Sequence, residues 1–224
     1  MNCLLIGFVS FISFIIALSV HEYCHALAAY LQGDETASRA GRLTLNPLAH
    51  LDPVGTVLIP LIGMISGLPV FGWAKPVPFN PYNVRHGKWG AVLIALAGPG
   101  SNFLSALIFL LVLRLLLAVG LPPNNLLALF LVSLAMVNTF LGVFNFLPLP
   151  PLDGSKLVSA IFDAPKYRNF RLFLETRGPL ILILLLILDY MSPYAPLSRV
   201  FFGIIDGIFS LVGLRSTLNL MAIC

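Results

Sequence analysis

The chain has 224 residues, of which 58% are hydrophobic and only 10% are charged. Soluble domains are about 45–50% apolar and about 25% charged, so this chain cannot cover a globular fold with polar surface. The formal net charge of +4 comes from only 13 scattered basic residues, which argues against a nucleic-acid-binding face. Three cysteines give no disulfide framework. The composition predicts an integral membrane protein.

Long uncharged runs predict the membrane-spanning helices, since a span needs about 20 consecutive apolar residues. The first run covers residues 1–20 and its apolar pattern continues to Leu31. It lacks the basic region and cleavage site of a secretory signal, so we expect a retained helix. Further runs cover residues 54–72, 90–113 and 126–147, and weaker ones lie near 173–190 and 196–214.

Basic residues predict the orientation, because cytoplasmic loops are rich in lysine and arginine. The densest basic stretch lies between residues 153 and 178, and the loop before residue 90 is also basic. If the loops before and after the Gly- and Pro-rich run 54–72 are both cytoplasmic, this run is expected to re-enter the membrane rather than to span it. The predicted fold is an all-α membrane protein, a polytopic bundle of five or six transmembrane helices with this re-entrant segment.

The strongest chemical signal is His21-Glu22-Tyr23-Cys24-His25. Residues four apart share one helix face, so the two histidines can bind one metal ion. Glu22 lies beside them and can take a proton from water bound to that ion, which is the chemistry of the H-E-x-x-H pattern. Random placement would give this pattern about 0.003 times in such a chain. The alternatives are buried structural histidines and the non-catalytic metal site of a membrane transporter or channel subunit.

A catalytic zinc ion needs three protein ligands, and the motif supplies two. The best candidate for the third is Asp153, which follows the run 126–147 and a series of prolines. Prolines end the helix and let the chain fold back toward the bundle. Asp206 is the alternative ligand. The histidines and Asp153 can meet only if the first helix ends at the cytoplasmic face, which places the amino terminus outside.

Three separated motifs resemble the site-2 protease family of intramembrane zinc metallopeptidases, in particular its compact prokaryotic members. These motifs are His21-Glu-x-x-His25, Ala97-Gly-Pro-x-x-Asn102 and Asn145-x-x-Pro-x-Pro-x-Leu-Asp153-Gly, and residues 42–48 and 72–78 add to the similarity. The resemblance implies one zinc ion (Zn2+) per chain, bound by His21, His25 and Asp153, with Glu22 as the general base. It also implies that Asn102 and Asn145 bind substrate or stabilise the oxyanion.

The resemblance implies a single metalloprotease domain over residues 1–224, with a catalytic core at about 1–160 and accessory helices at about 172–214. The expected reaction is cleavage of a peptide bond in or near the transmembrane segment of single-span membrane proteins. We expect a multi-pass protein in the lipid bilayer of a prokaryotic cell, with its active site toward the cytoplasm. The alternating pattern of Arg42–Asn46 predicts a short edge strand that pairs with unwound substrate, with a surface loop as the alternative.

Overall fold

The computed structural model describes residues 3–59, 62, 72–215 and 217, and the fold of this part of the chain is all-helical. A π-helical turn lies at Pro53–Leu58, and 3-10 turns lie at Pro47–Ala49 and Pro165–Tyr167. The α-helices are α1 (Cys3–Leu31), α2 (Thr36–Arg39), α3 (Gly87–Ala118), α4 (Leu126–Asn145), α5 (Gly154–Ile161), α6 (Arg168–Met191) and α7 (Pro196–Leu211). The prediction of an all-α membrane protein is confirmed.

Helices α1, α3 and α4 are each long and apolar enough to cross a membrane. Helices α6 and α7 meet that criterion only as a pair, and the pair is bent by 85°. The structure therefore supports three or four spans among the described residues, fewer than the five or six predicted. The difference arises because α7 has only 16 residues, about 24 Å against about 30 Å of hydrocarbon, and charged residues interrupt α6.

The three long helices form the bundle that positions the site. Ile6 and Val9 near the start of α1 pack against Leu129 near the start of α4, so these two helices run in the same direction. Ala29 near the end of α1 packs against Ile94 in the first third of α3, which runs the opposite way. The end of α1, the start of α3 and the end of α4 therefore lie at one end of the bundle.

Helix α7 packs along the side of this bundle. Ile205 and Phe209 lie in one buried apolar cluster with Leu110 of α3 and Val132 of α4. The start of α7 is capped by Asp189 of α6, whose carboxylate accepts a 2.7 Å hydrogen bond from the Leu197 N–H and further bonds from Ser198. An acidic residue in an apolar helix is thus explained by its capping of the next helix.

The predicted edge strand at Arg42–Asn46 is not formed, because local contacts use its backbone groups. The Arg42 N–H donates to the Ala37 carbonyl at 2.9 Å, and His50 donates to the Thr44 carbonyl at 2.7 Å. The Asn46 N–H bonds to the Thr44 hydroxyl at 3.1 Å, a side-chain turn that competes with strand pairing. Of the predicted re-entrant segment 54–72, residues 60–61 and 63–71 lie outside the described residues.

Candidate metal centre

Helix α1 presents two imidazole rings to the inside of the bundle. His21 and His25 lie one turn apart, and each is less than a tenth exposed. Their Nε2 atoms are 3.0 Å from each other, and the two rings are almost perpendicular. The predicted sharing of one helix face is confirmed, and both lone pairs can point at one centre.

Asp153 brings the third ligand atom to this centre from a different part of the chain. Its Oδ2 lies 3.2 Å from Nε2 of His21 and 3.2 Å from Nε2 of His25. After α4 the chain turns back tightly, so that Gly154 packs against the carbonyl oxygens of Phe146 and Leu147. A side chain at position 154 would overlap those oxygens, so glycine after Asp153 permits the turn that aims the carboxylate inward.

The spacing of the three ligand atoms fits a small tetrahedral dication. Tetrahedral zinc with bonds of about 2.0–2.1 Å holds its ligand atoms about 3.3 Å apart. The three separations here are 3.0, 3.2 and 3.2 Å. Two imidazole nitrogens and one carboxylate oxygen are ligands that zinc uses in catalytic sites, where a fourth position stays open. The donor set fits zinc in number, type and spacing.

A contact from α3 fixes one of these ligands. Nδ1 of His25 lies 2.7 Å from the backbone carbonyl of Ile94. A carbonyl oxygen only accepts, so Nδ1 carries the proton and Nε2 presents its lone pair to the centre. Gly98, one turn further along α3, lies against both imidazole rings. These contacts of Ile94 and Gly98 with the imidazoles were not predicted from the sequence. The Ala97-Gly-Pro motif, which contains Gly98, was the signal that could have indicated the second of them.

Asp153 lies outside the spanning helices and its ionisation suits a metal ligand. Burial alone would raise the pKa of its carboxyl, but in the metal-free protein, where Nε2 of each imidazole can carry a proton, hydrogen bonds with His21 and His25 outweigh burial and hold that pKa well below its usual value. The carboxylate is therefore charged at neutral pH, the form that binds a cation. A strongly shifted acid between two histidines inside a helix bundle is typical of a functional site.

Glu22 lies next to this centre and is only 7% exposed. His25, Asp153 and Arg42 are the charged or titratable groups that act on its carboxylate, and the backbone of Val77 faces it. This position agrees with the predicted general base, which must reach a water molecule at the centre.

The structure places the two predicted asparagines differently. Asn102 is fully buried on α3, one turn beyond Gly98, and neither polar atom of its amide has a hydrogen-bond partner among the described residues. Asn145 is partly buried at the end of α4, where its Nδ2 donates to the Leu141 carbonyl at 3.1 Å. Asn102 therefore has free hydrogen-bonding capacity near the centre, whereas one donor of Asn145 is used within its own helix.

Asp206, the alternative third ligand, lies elsewhere. Its Oδ1 forms an ion pair of 2.9 Å with Nε of Arg215. His50 is buried and bonds to the Thr44 carbonyl, away from the cluster of possible ligands. The structure therefore joins His21 and His25 with Asp153 and not with Asp206.

Comparison with known proteins identifies the family. A model described as peptidase family M50 matches residues 121–188. YwhC of Bacillus subtilis (strain 168), which is named as a zinc metalloprotease, is 42% identical over 154 residues, an alignment that covers 66% of each chain. The chain belongs to peptidase family M50. The site-2 protease resemblance and the prediction of a zinc metallopeptidase are confirmed, and no relative found supports a transporter or channel.

Other M50 relatives extend the alignment over most of the chain. Rip2 of Mycolicibacterium smegmatis and Rip2 of Mycobacterium tuberculosis (strain H37Rv), also named as zinc metalloproteases, are each 28% identical over 205 residues. These alignments cover 91% of this chain and 74% of each relative. No solved structure matches the chain.

Proposed function

We propose that this M50 peptidase hydrolyses a peptide bond within or beside the transmembrane segment of single-span membrane proteins, at the centre formed by His21, His25 and Asp153. The observation that carries the proposal is the convergence of three ligand atoms within 3.2 Å of one another, with Glu22 beside them, inside a bundle of apolar helices.

Each residue has a separate task in this reaction. A zinc ion, when bound, lowers the pKa of water toward about 7 and polarises the scissile carbonyl. His21 and His25 present Nε2 lone pairs, and Asp153 adds a negative charge that offsets part of the ion's charge. Glu22 takes the proton of the attacking water and delivers it to the leaving amine.

Asn102 is proposed to bind the substrate carbonyl through its amide N–H. Buried polar groups in proteins normally have a hydrogen-bond partner, so an amide with two unpartnered atoms supports a ligand at this position. A donor aimed at the developing oxyanion is worth about 2.7–4 kcal/mol in other hydrolases. Asn145 is proposed as a weaker substrate contact, because it lies at the end of α4 before the turn to Asp153.

The active site is proposed to face the cytoplasm of a prokaryotic cell. The bundle end that contains it carries a predominantly basic set of residues before α3, in α5 and at the start of α6, and the relatives described above are bacterial. His21 and His25 lie about 15 and 9 Å along α1 from its end at Leu31, so water can reach them from that side.

Hydrogen bonds near the ends of the segment 54–72 support its re-entry. The Trp73 N–H donates to the Gly55 carbonyl at 3.2 Å, and the Lys75 N–H donates to the His50 carbonyl at 2.9 Å. These bonds bring the two ends of the segment together, whereas a single crossing of the bilayer would separate them. We therefore propose that the segment re-enters the membrane. The number of crossings before α3 is then odd, so α3 begins on the side of the membrane where α1 ends.

The test uses the purified full chain in lipid nanodiscs with a panel of single-span polypeptides. Glu22→Gln should keep about one zinc ion per chain while cleavage falls by about 10²–10⁴-fold, the usual contribution of a general base. Glu35→Gln is the matched control, because Glu35 is exposed and its ion pair in the described part of the chain is with the exposed Arg39. Full cleavage by Glu22→Gln would remove the general-base role. Zinc-loaded wild type that cuts no member of the panel would overturn the proposed substrate class.

A further inference from the structure

Arg42 is a buried arginine that the mechanism above does not use. It is 7% exposed, and no carboxylate within the described part of the chain forms a salt bridge with it. Its Nη1 donates instead to the backbone carbonyl of Ala49 and lies 3.5 Å from the carbonyl of Lys75. Burial of an unpaired charge is costly, so a guanidinium held by carbonyl oxygens alone needs a physical reason.

The two carbonyls belong to segments that Arg42 joins. Ala49 ends the 3-10 turn after Asn46, and Lys75 lies in the irregular segment 72–80. A hydrogen bond from Lys75 N–H to the His50 carbonyl lies beside the guanidinium. The Thr56 hydroxyl adds a bond of 2.8 Å to the Trp73 carbonyl. Arg42 therefore adds side-chain contacts at Lys75 to the hydrogen bonds that hold segment 72–80 at Trp73 and at Asn80.

Segment 72–80 leads directly to the general base. Val77 lies two residues after Lys75, about 7 Å along an extended chain, and its backbone faces the Glu22 carboxylate. The positive charge of Arg42 also acts on Glu22. Arg42 thus contacts the segment whose Val77 backbone faces Glu22, and its own charge is close enough to act on the same carboxylate.

We propose that Arg42 is a positioning residue of the active site, which fixes segment 72–80 over Glu22 by binding the Ala49 and Lys75 carbonyls. The proposal rests on the proposed function for its catalytic consequence, whereas its structural part can be tested alone. Both contacts come from Nη1, whose two N–H bonds are fixed in the guanidinium plane, whereas the N–H bonds of a lysine ammonium rotate freely.

The first measurement requires no substrate. In a background without Cys3, Cys24 and Cys224, a Val77→Cys chain is treated with maleimide in nanodiscs, with and without Arg42→Gln. We expect labelling to become about tenfold faster when Arg42 is removed, because segment 72–80 loses its support. Arg39→Gln is the matched control, since Arg39 is exposed and pairs with Glu35. An unchanged labelling rate would overturn the proposal.

The second measurement uses single-span polypeptides and separates positioning from folding. Arg42→Gln should keep one zinc ion per chain, lower kcat by about 10- to 100-fold and change KM by less than about threefold, as for residues that orient catalytic groups. Arg42→Lys should recover part of kcat through its charge but not the slow labelling at position 77. Loss of zinc in parallel with kcat would show a general structural role and overturn the proposal.

Failure of the two proposals can be told apart. If wild type cuts no polypeptide but Arg42→Gln still speeds labelling at position 77, the proposed function fails and the structural role of Arg42 stands. If wild type cleaves, Glu22→Gln does not, and Arg42→Gln keeps full kcat, the role of Arg42 fails and the proposed function stands.

Discussion

Gly98 on α3 lies directly against the imidazole of His25 on α1. A Cβ built on Gly98 would overlap Nε2 of His25 and lie 2.5 Å from its Cε1, closer than non-bonded carbon atoms approach. The missing side chain lets the two helices approach until the Ile94 carbonyl reaches Nδ1 of the same ring at 2.7 Å. One glycine therefore permits both the position and the tautomer of a metal ligand.

Gly98→Ala is expected to weaken zinc binding by about 10- to 100-fold, because the added methyl displaces the imidazoles. Helix propensity alone favours alanine over glycine by about 1 kcal/mol, so a gain in stability without loss of zinc would contradict this role of Gly98. The measurement is zinc retained after dialysis against a competing chelator. Gly100→Ala is the control, since a Cβ added at Gly100 would meet nothing within 4 Å.

Asp153→Ala is expected to reduce zinc content far below one ion per chain, because it removes one of three ligands. Asp206→Ala should keep zinc and cost at most about 1 kcal/mol of unfolding free energy, the usual range for an exposed ion pair. Metal analysis of both purified variants, with circular dichroism to verify folding, tests the assignment. Zinc loss in Asp206→Ala with zinc retained in Asp153→Ala would reverse it.

Asp34 makes stability depend on pH through hydrogen bonds between the end of α1 and the loop before α3. Burial alone would raise its pKa, but bonds from Thr36, Asn80 and Asn83 outweigh burial and lower the pKa below its usual value. The pKa of Asp34 is lower in the folded protein than in the unfolded chain, where it is about 3.9, so the ionised carboxylate stabilises the fold above about pH 4. This stabilisation is lost as the pH falls through the folded-state pKa.

Thermal unfolding of zinc-free protein in detergent should therefore show wild type more stable than Asp34→Asn at pH 7, by about 1–3 kcal/mol. The difference should shrink as the pH falls below about 4, because the carboxylate of the unfolded chain then takes up a proton before that of the folded protein. A chelator at both pH values keeps metal release from the histidines out of the comparison. An equal difference at both pH values would contradict the role of the ionised carboxylate.

Cysteine labelling in intact cells tests the orientation. In a chain without its natural cysteines, Asn124→Cys between α3 and α4 should react with a membrane-impermeant reagent from outside. Lys166→Cys between α5 and α6 should react only after the cells are opened. Both positions are exposed, so burial does not explain a difference in rate. The reverse pattern would place the active site at the outer face.

The candidate ligands could be proposed from local signals, although Asp206 remained an alternative to Asp153. The spacing of His21 and His25 sets a shared helix face, and prolines after α4 mark the turn to Asp153. The contacts of Gly98 and Ile94 depend on how closely two helices pack, and a single sequence does not state that distance. The alternating pattern at Arg42–Asn46 predicted a strand wrongly, because side-chain turns compete with strand pairing there.

The predicted count of five or six spans is not confirmed among the described residues, for a related reason. Hydropathy measures how apolar a segment is, but not whether it continues in one direction. Helices α6 and α7 are joined at an 85° bend, where Asp189 of the first caps the second. The sequence shows Asp189 only as a charge in an apolar run, whereas the structure shows it near the end of α6, where it caps the start of α7.

The long separation of Asp153 from the two histidines along the chain has a consequence for biosynthesis. A ribosome-bound chain that has inserted only α1 and α3 holds the two imidazoles but lacks Asp153, so it cannot assemble the three-ligand centre. Translation of the segment after α4 completes the ligands and joins them across the bundle. The order of synthesis therefore delays a complete set of three donor side chains until α1, α3 and α4 have all been made.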